Sequence, residues 1–218
     1  MTASSTPPDD PTRPRVFAII PAAGKSKRMG TPKQLLEFGN STVLETIVET
    51  VLQGGTDGLV VVTNLAIDDA LELSEDPRFM TAILTNPRAE MLDSIFLGID
   101  RLTKQFTPNV SDAFMVCPGD VPGITVELAQ SCAGEYQKHV GDIVVATHAG
   151  KNGHPIVVPF GMLDEIKTLQ DVGLKGILQR KSDRVHRVNV DSETTQIDID
   201  TPDDYEDLND RMKKPSDG

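Results

Sequence analysis

Val16-Phe-Ala-Ile-Ile20 is an unbroken apolar run that stops at Pro21 and opens into Ala22-Ala-Gly-Lys-Ser-Lys-Arg-Met-Gly-Thr-Pro-Lys33. A run that is apolar at every position suits a strand buried on both faces rather than one half exposed. The stretch from Ala22 to Lys33 is then a loop leaving the strand's carboxyl end. The small residues Ala22, Ala23 and Gly24 let backbone N–H groups come close to phosphate oxygens. Lys25, Lys27, Arg28 and Lys33 concentrate positive charge in a chain of formal charge −12. A triphosphate needs both features. Gly24-Lys25-Ser26 imitates the end of a P-loop, but the first glycine of that pattern would fall at Ile19. Gly24 and Gly30 are also wrongly spaced for a dinucleotide fingerprint. A solvated basic turn has the same composition; the place of this one after the first buried strand favours phosphate binding.

Outward from this loop, apolar runs alternate with amphipathic stretches. Strands are expected at 58–63, 81–84, 113–117, 142–147 and 185–190, with 156–158 as an antiparallel strand at the sheet edge. Helical spacing marks 42–52, 68–73, 91–102, 126–137, 163–169, 173–179 and 202–212, with Gly54-Gly55 closing the first of these and Thr201 capping the last. Strand–helix alternation of this kind predicts an α/β fold, a three-layer α/β/α sandwich on a Rossmann-like, mostly parallel sheet. Ligands of such sheets bind beyond the carboxyl ends of the strands. One domain over 15–212 is expected, with a disordered tail at 1–14 and a loose one at 213–218.

Two acidic stations fall at strand ends. Pro118-Gly119-Asp120-Val121-Pro122 comes directly after the apolar run at 113–117 and can present a carboxylate to a cation, although Pro-Gly-Asp is also ordinary turn chemistry. Asp198 and Asp200 alternate with isoleucines and would share one face of an extended segment. Asp203 and Asp204 instead suit the first turn of a helix. A Mg²⁺ site on a phosphate substrate uses one or two carboxylates with phosphate oxygens and water, which Asp120 and Asp200 could supply.

The segment 22–36 is similar to the signature A-A-G-x-S-x-R-M-G-x-x-K-x-L-L of the MobA-like NTP transferase superfamily, and every fixed position matches. Ala-Ala-Gly in place of a double glycine resembles the CTP-using members. Gly119-Asp120-Val121-Pro122, Gly153-His154-Pro155 and Asp198-Ile199-Asp200-Thr201-Pro202-Asp203-Asp204 resemble, in order, the motifs of the molybdenum cofactor cytidylyltransferases. The resemblance spans nearly all of 16–208. It implies a sheet of the nucleotide-diphospho-sugar transferase type and transfer of CMP from CTP to a phosphorylated acceptor, molybdopterin, with release of pyrophosphate. It implies Asp120 and Asp200 as ligands of Mg²⁺, with Mn²⁺ as an alternative ion. Arg28, Lys33, Asp120 and Asp200 become the catalytic set. Ala22, Ala23, Gly24, Ser26, Arg28, Lys33, Ser94 and Asp120 hold the nucleotide, and His154 lies near the acceptor. His154 could equally be a turn residue set by Gly153 and Pro155.

The resemblance departs in one place. Where the family carries Gly-Met-Ser-x-Ser-Leu-Arg-x-Gly, this chain reads Glu90-Met91-Leu92-Asp93-Ser94-Ile95-Phe96-Leu97-Gly98. That weakens the case for a pterin, so a cytidylyltransferase for a sugar or polyol phosphate, such as methylerythritol phosphate, stands as an alternative. A nucleotide-binding cofactor chaperone without chemistry is a second one. The resemblance also implies a molybdoenzyme client.

Composition sets the remaining bounds. An excess of 33 Asp and Glu over 21 Lys and Arg argues against nucleic acid and anionic membranes as partners. No stretch is long enough to cross a bilayer and 1–14 has no apolar signal core, so the expected location is the cytoplasm. Cys117 and Cys132 read as small buried hydrophobes. His139, His148 and His186 have no motif around them and are expected at the surface.

Overall fold

A computed structural model describes residues 12–24, 31–71, 74–169, 172–191, 199 and 201–213. The strands are β1 (Val16–Pro21), β2 (Glu37–Phe38), β3 (Ser41–Thr42), β4 (Gly58–Thr63), β5 (Phe79–Ile83), β6 (Ala113–Val116), β7 (Ile143–His148), β8 (Lys151–Pro159) and β9 (Val185–Asn189). The helices are α1 (Val43–Gln53), α2 (Leu65–Asp68), α3 (Met91–Phe106), α4 (Val126–Lys138), α5 (Leu163–Ile166), α6 (Gly173–Arg180) and α7 (Pro202–Lys213). Among the described residues, seven strands form one sheet in the order β5-β4-β1-β6-β8-β7-β9. Only β8 in that sheet runs antiparallel to its neighbours. β2 and β3 form a separate small hairpin, which local patterning does not announce.

The sheet is central because its inner strands are apolar on both faces. Val16, Ala18 and Ile20 of β1 pack with α1, α4 and Leu208 of α7, whereas Phe17 and Ile19 face the layer built from α3, α5 and α6. The same period-two division runs through β4 and β6 and makes the three layers. The α/β/α sandwich with a mostly parallel, Rossmann-like sheet is thus the observed fold.

Helix starts obey local chemistry. Thr42 accepts from the Glu45 amide while the Glu45 carboxylate accepts from the Thr42 amide, a capping box that begins α1. Thr201 and Asp204 exchange the same pair of bonds ahead of α7. The short helix expected at 68–73 instead begins at Leu65, because Asn64 accepts from the Ile67 amide and sets the start earlier.

One strand needs correcting. The expected edge strand at 156–158 is β8, nine residues long and internal, with β6 on one side and β7 on the other. Ala149 and Gly150, both at positive φ (48° and 77°), turn the chain so that His148 pairs with Lys151. The returning strand then inserts against the free edge of β6, burying Val157 and Val158 completely.

Candidate active site

The carboxyl ends of β1 and β6 lie side by side, since the two strands pair in parallel from Val16 with Ala113 to Ile19 with Val116. The loops leaving them touch at once. The Gly119 amide donates to the Pro21 carbonyl at 3.0 Å, and the Cys117 amide donates to Ile19 at the same distance. A Cβ on Gly119 would come within 2.9 Å of the Ala22 Cβ, so glycine is what allows the two loops to close on each other. On the other side, Ala22 donates its amide to Val62 of β4, and Asn64 donates to the Ala23 carbonyl at 3.3 Å. Ala22, Ala23 and Gly24 are therefore held between β4 and β6 at the open end of the sheet.

Asp120 projects from the end of β6 toward Lys33, which belongs to a short 3₁₀ turn (Lys33–Leu35) at the far end of the glycine and basic loop. Lys33 Nζ lies 2.6 Å from Asp120 Oδ2, with their side chains only 11% and 22% exposed. The Asp120 carbonyl in turn accepts from the amide of the buried Ile199 at 3.1 Å. That bond ties the C-terminal acidic segment to the loop after β6.

His154 reaches the same end from β8, two residues before Ile156, which pairs with Val116. Its side chain is half-buried and hydrogen-bonds the Val116 backbone, while the enclosed Nδ1 has no hydrogen-bond partner. Burial lowers its pKa from the usual histidine value, against smaller opposing effects of the Val116 bond and the Asp120 charge. The neutral ring is therefore the favoured form.

Ser94 is buried in the first turn of α3. One turn later on the same face, Gly98 rests on Ile19 and Val60, where a Cβ would meet the Ile19 side chain at 2.7 Å. The helix runs antiparallel to the strands it covers, which puts Ser94 toward their carboxyl ends.

Of the residues singled out from sequence, Ala22, Ala23, Gly24, Lys33, Asp120 and His154 thus converge, and Ser94 lies at the adjoining helix start. Ser26, Arg28 and Asp200, with Lys25, Lys27 and Asp198, lie outside the described residues. Asn64 was not anticipated; an asparagine after a buried strand is a visible helix-cap signal, but its bond to Ala23 is a long-range contact. Glu90, Leu92 and Phe96, where the chain departs from the family pattern, have local roles. Glu90 donates its amide to Asp93 at the start of α3, Leu92 is buried, and Phe96 packs on the core. Cys117 and Cys132 are free and buried, and burial pushes both thiols up, that of Cys132 to about 12. Among the described residues no helix is long and apolar enough to cross a membrane.

Comparison with known proteins accords with this geometry. The chain is 26% identical over 192 residues to the molybdenum cofactor cytidylyltransferase of Escherichia coli (strain K12), covering 87% of this chain and 93% of that protein. It is 24% identical over 200 residues to the nicotine blue oxidoreductase of Paenarthrobacter nicotinovorans, covering 88% and 95%. Its fold is similar to that of Rv0371C from Mycobacterium tuberculosis H37Rv, solved in complex with manganese, at a TM-score of 0.70 and 23% identity over 90% of this chain and 98% of that one. The MobA-like NTP transferase domain itself matches residues 18–186, a span that takes in the loop after β1, Asp120 and His154, and the chain belongs to that family.

Proposed function

We propose that this nucleotidyltransferase moves CMP from CTP onto a phosphorylated acceptor, with molybdopterin the first candidate, and releases pyrophosphate. The observation that carries this reading is the ion pair of Lys33 with Asp120 beside the Ala22-Ala23-Gly24 loop: a cation and a carboxylate presented together where two strands end. The name of the Escherichia coli relative supports CTP and the pterin; Ala22-Ala23 in place of a double glycine supports CTP independently of it.

In the reaction, an oxygen of the acceptor's phosphate attacks the α-phosphorus of CTP. A new phosphoanhydride bond forms as the bond to the bridging oxygen of the β-phosphate breaks, and pyrophosphate leaves. No protein nucleophile takes part. The Ala22 amide is already given to the Val62 carbonyl, so the amides of Ala23 and Gly24 are the ones assigned to cradle the triphosphate. Lys33 exchanges the Asp120 carboxylate for phosphate oxygens and offsets the charge building on the leaving group, with Arg28 assigned the same task from its motif. Ser94 is assigned to the nucleotide. His154, neutral and with Nδ1 unpartnered, accepts a hydrogen bond from the acceptor.

Asp120 suits a divalent cation, being a partly exposed carboxylate at the strand end, and Asp200 is its proposed co-ligand, one residue from Ile199. Carboxylate oxygens complemented by phosphate and water are the donor set of Mg²⁺ or Mn²⁺. When bound, the ion would supply Lewis-acid polarisation of the phosphate oxygens. The proposed setting is the cytoplasm, with a molybdoenzyme as the client of the finished cofactor.

A second reading, transfer to a sugar or polyol phosphate, is favoured by the start of α3, where Leu92 and Phe96 serve packing. Pyrophosphate release with Mg²⁺, CTP, GTP, ATP or UTP and either acceptor class separates the two. Release with CTP and molybdopterin, lost in Asp120→Ala, is expected. Turnover only with a sugar or polyol phosphate selects the second reading, and preference for GTP removes the cytidylyl assignment. Tight CTP binding with no release for any acceptor would point to a chaperone.

A further inference from the structure

Away from the phosphate loop, the chain gathers histidines that its motifs do not use. α4 ends at Lys138 with His139 as its C-terminal cap, so Glu135 and His139, four residues apart, share one face of the final turn. The chain then passes Gly141 (φ 90°) and Asp142 and enters β7. β9 pairs in parallel with β7, Val144 beside His186, which brings His186 to the same amino-terminal end of the sheet. One ligand atom from each of Glu135, His139 and His186 lies within 4.8 Å of the other two.

We propose that Glu135, His139 and His186 bind one divalent transition-metal ion of the Zn²⁺ class. Two imidazoles and a carboxylate form a nitrogen-rich set that suits Zn²⁺, Ni²⁺ or Co²⁺ and not the all-oxygen chemistry of Mg²⁺. The surroundings fit a held site. Glu135 Oε1 faces His139 Nε2 at 3.3 Å, while Lys138 occupies the other carboxylate oxygen at 3.0 Å. Asp142 Oδ2 is 3.0 Å from His186 Nε2, and Arg184 donates to Asp142 Oδ1 at 2.8 Å. A carboxylate bonded to one ring nitrogen is the usual partner of a metal-bound histidine, and Asp142 is so placed. The two rings are stacked, their centroids 3.7 Å apart, and must splay to receive an ion. Side-chain exposures of 40% and 29% leave them room to do so. The ion would clamp the end of α4 to β9, two elements that local sequence does not join.

The test uses the untagged full chain, stripped with a chelator and titrated with Zn²⁺ against a chromophoric competitor. One equivalent is expected to bind, weakened by about 100-fold or more in His139→Ala, His186→Ala and the gentler Glu135→Gln. Binding is expected to persist in Asp120→Ala, which removes the nucleotide-site carboxylate, and in His148→Ala, at the other end of β7. Co²⁺ should give the visible absorption of a tetrahedral site in the parent chain and not in His186→Ala. Circular dichroism in chelator establishes that each variant is folded. The absence of stoichiometric binding, or binding lost in Asp120→Ala and retained in both histidine variants, would overturn the proposal.

Discussion

Lys33 Nζ and Asp120 Oδ2 stand 2.6 Å apart, although one residue ends the loop after β1 and the other begins the loop after β6. The pairing depends on β1 and β6 being neighbours. Under the proposed function, each partner would exchange the other for a part of the nucleotide or its metal ion.

Lys33→Ala is expected to lower kcat/KM for CTP by about 100- to 1,000-fold, the scale of losing one electrostatic contact to a developing charge. The thermal transition should remain cooperative, because the hydrophobic core is untouched. Steady-state pyrophosphate release together with a melting curve checks this. Unchanged kcat/KM would remove Lys33 from the mechanism.

The close approach of the two loops can be tested through Gly119. In Gly119→Ala the new methyl would lie 2.9 Å from the Ala22 Cβ and 3.2 Å from the Pro21 carbonyl oxygen. Such overpacking costs about 1–3 kcal/mol and should push the phosphate loop away from Asp120. Adding Ala22→Gly removes the clashing methyl, so the double variant should recover part of both stability and CTP affinity. Recovery in neither would show that contact with Ala22 is not what requires the glycine.

Asp112 anchors the entry to β1. Its carboxylate is fully buried and accepts from the Arg15 amide, from Arg15 Nε and Nη2, and from the Asn109 amide. Asp112→Ala leaves those donors unmatched and should cost about 3–5 kcal/mol in urea unfolding. A loss below the uncertainty of the extrapolation would mean that water replaces the carboxylate at little cost.

Alkaline pH should destabilise the chain through α4. Burial pushes the Tyr136 hydroxyl up to about 12, and the Cys132 thiol to about 12 as well. In the unfolded chain these groups titrate at about 10 and about 8.5. Above those values the unfolded state holds fewer protons than the folded one, so stability falls as pH rises and is intact below them. Urea unfolding between pH 8 and pH 11 should show the decline. Tyr136→Phe, though it loses the 2.7 Å bond to the Ser111 carbonyl, should flatten it. An equal slope in the variant would assign the decline to other groups.

Short-range order was legible in the residues. Val16 to Ile20 suited a doubly buried strand, and the alternating runs beyond it called for a layered α/β fold, because burial periodicity is a local property of the chain. The Thr201 cap was legible for the same reason: residue type and spacing suffice. The order of strands was not. Nothing near 156–158 tells an edge strand from an internal one; that depended on a hairpin at Ala149-Gly150 and on β6 having an unpaired side. Nor could spacing bring Lys33 to Asp120, the Ile199 amide to the Asp120 carbonyl, or His186 to His139. Those contacts join residues far apart in the chain, and only packing three layers around one sheet makes them neighbours.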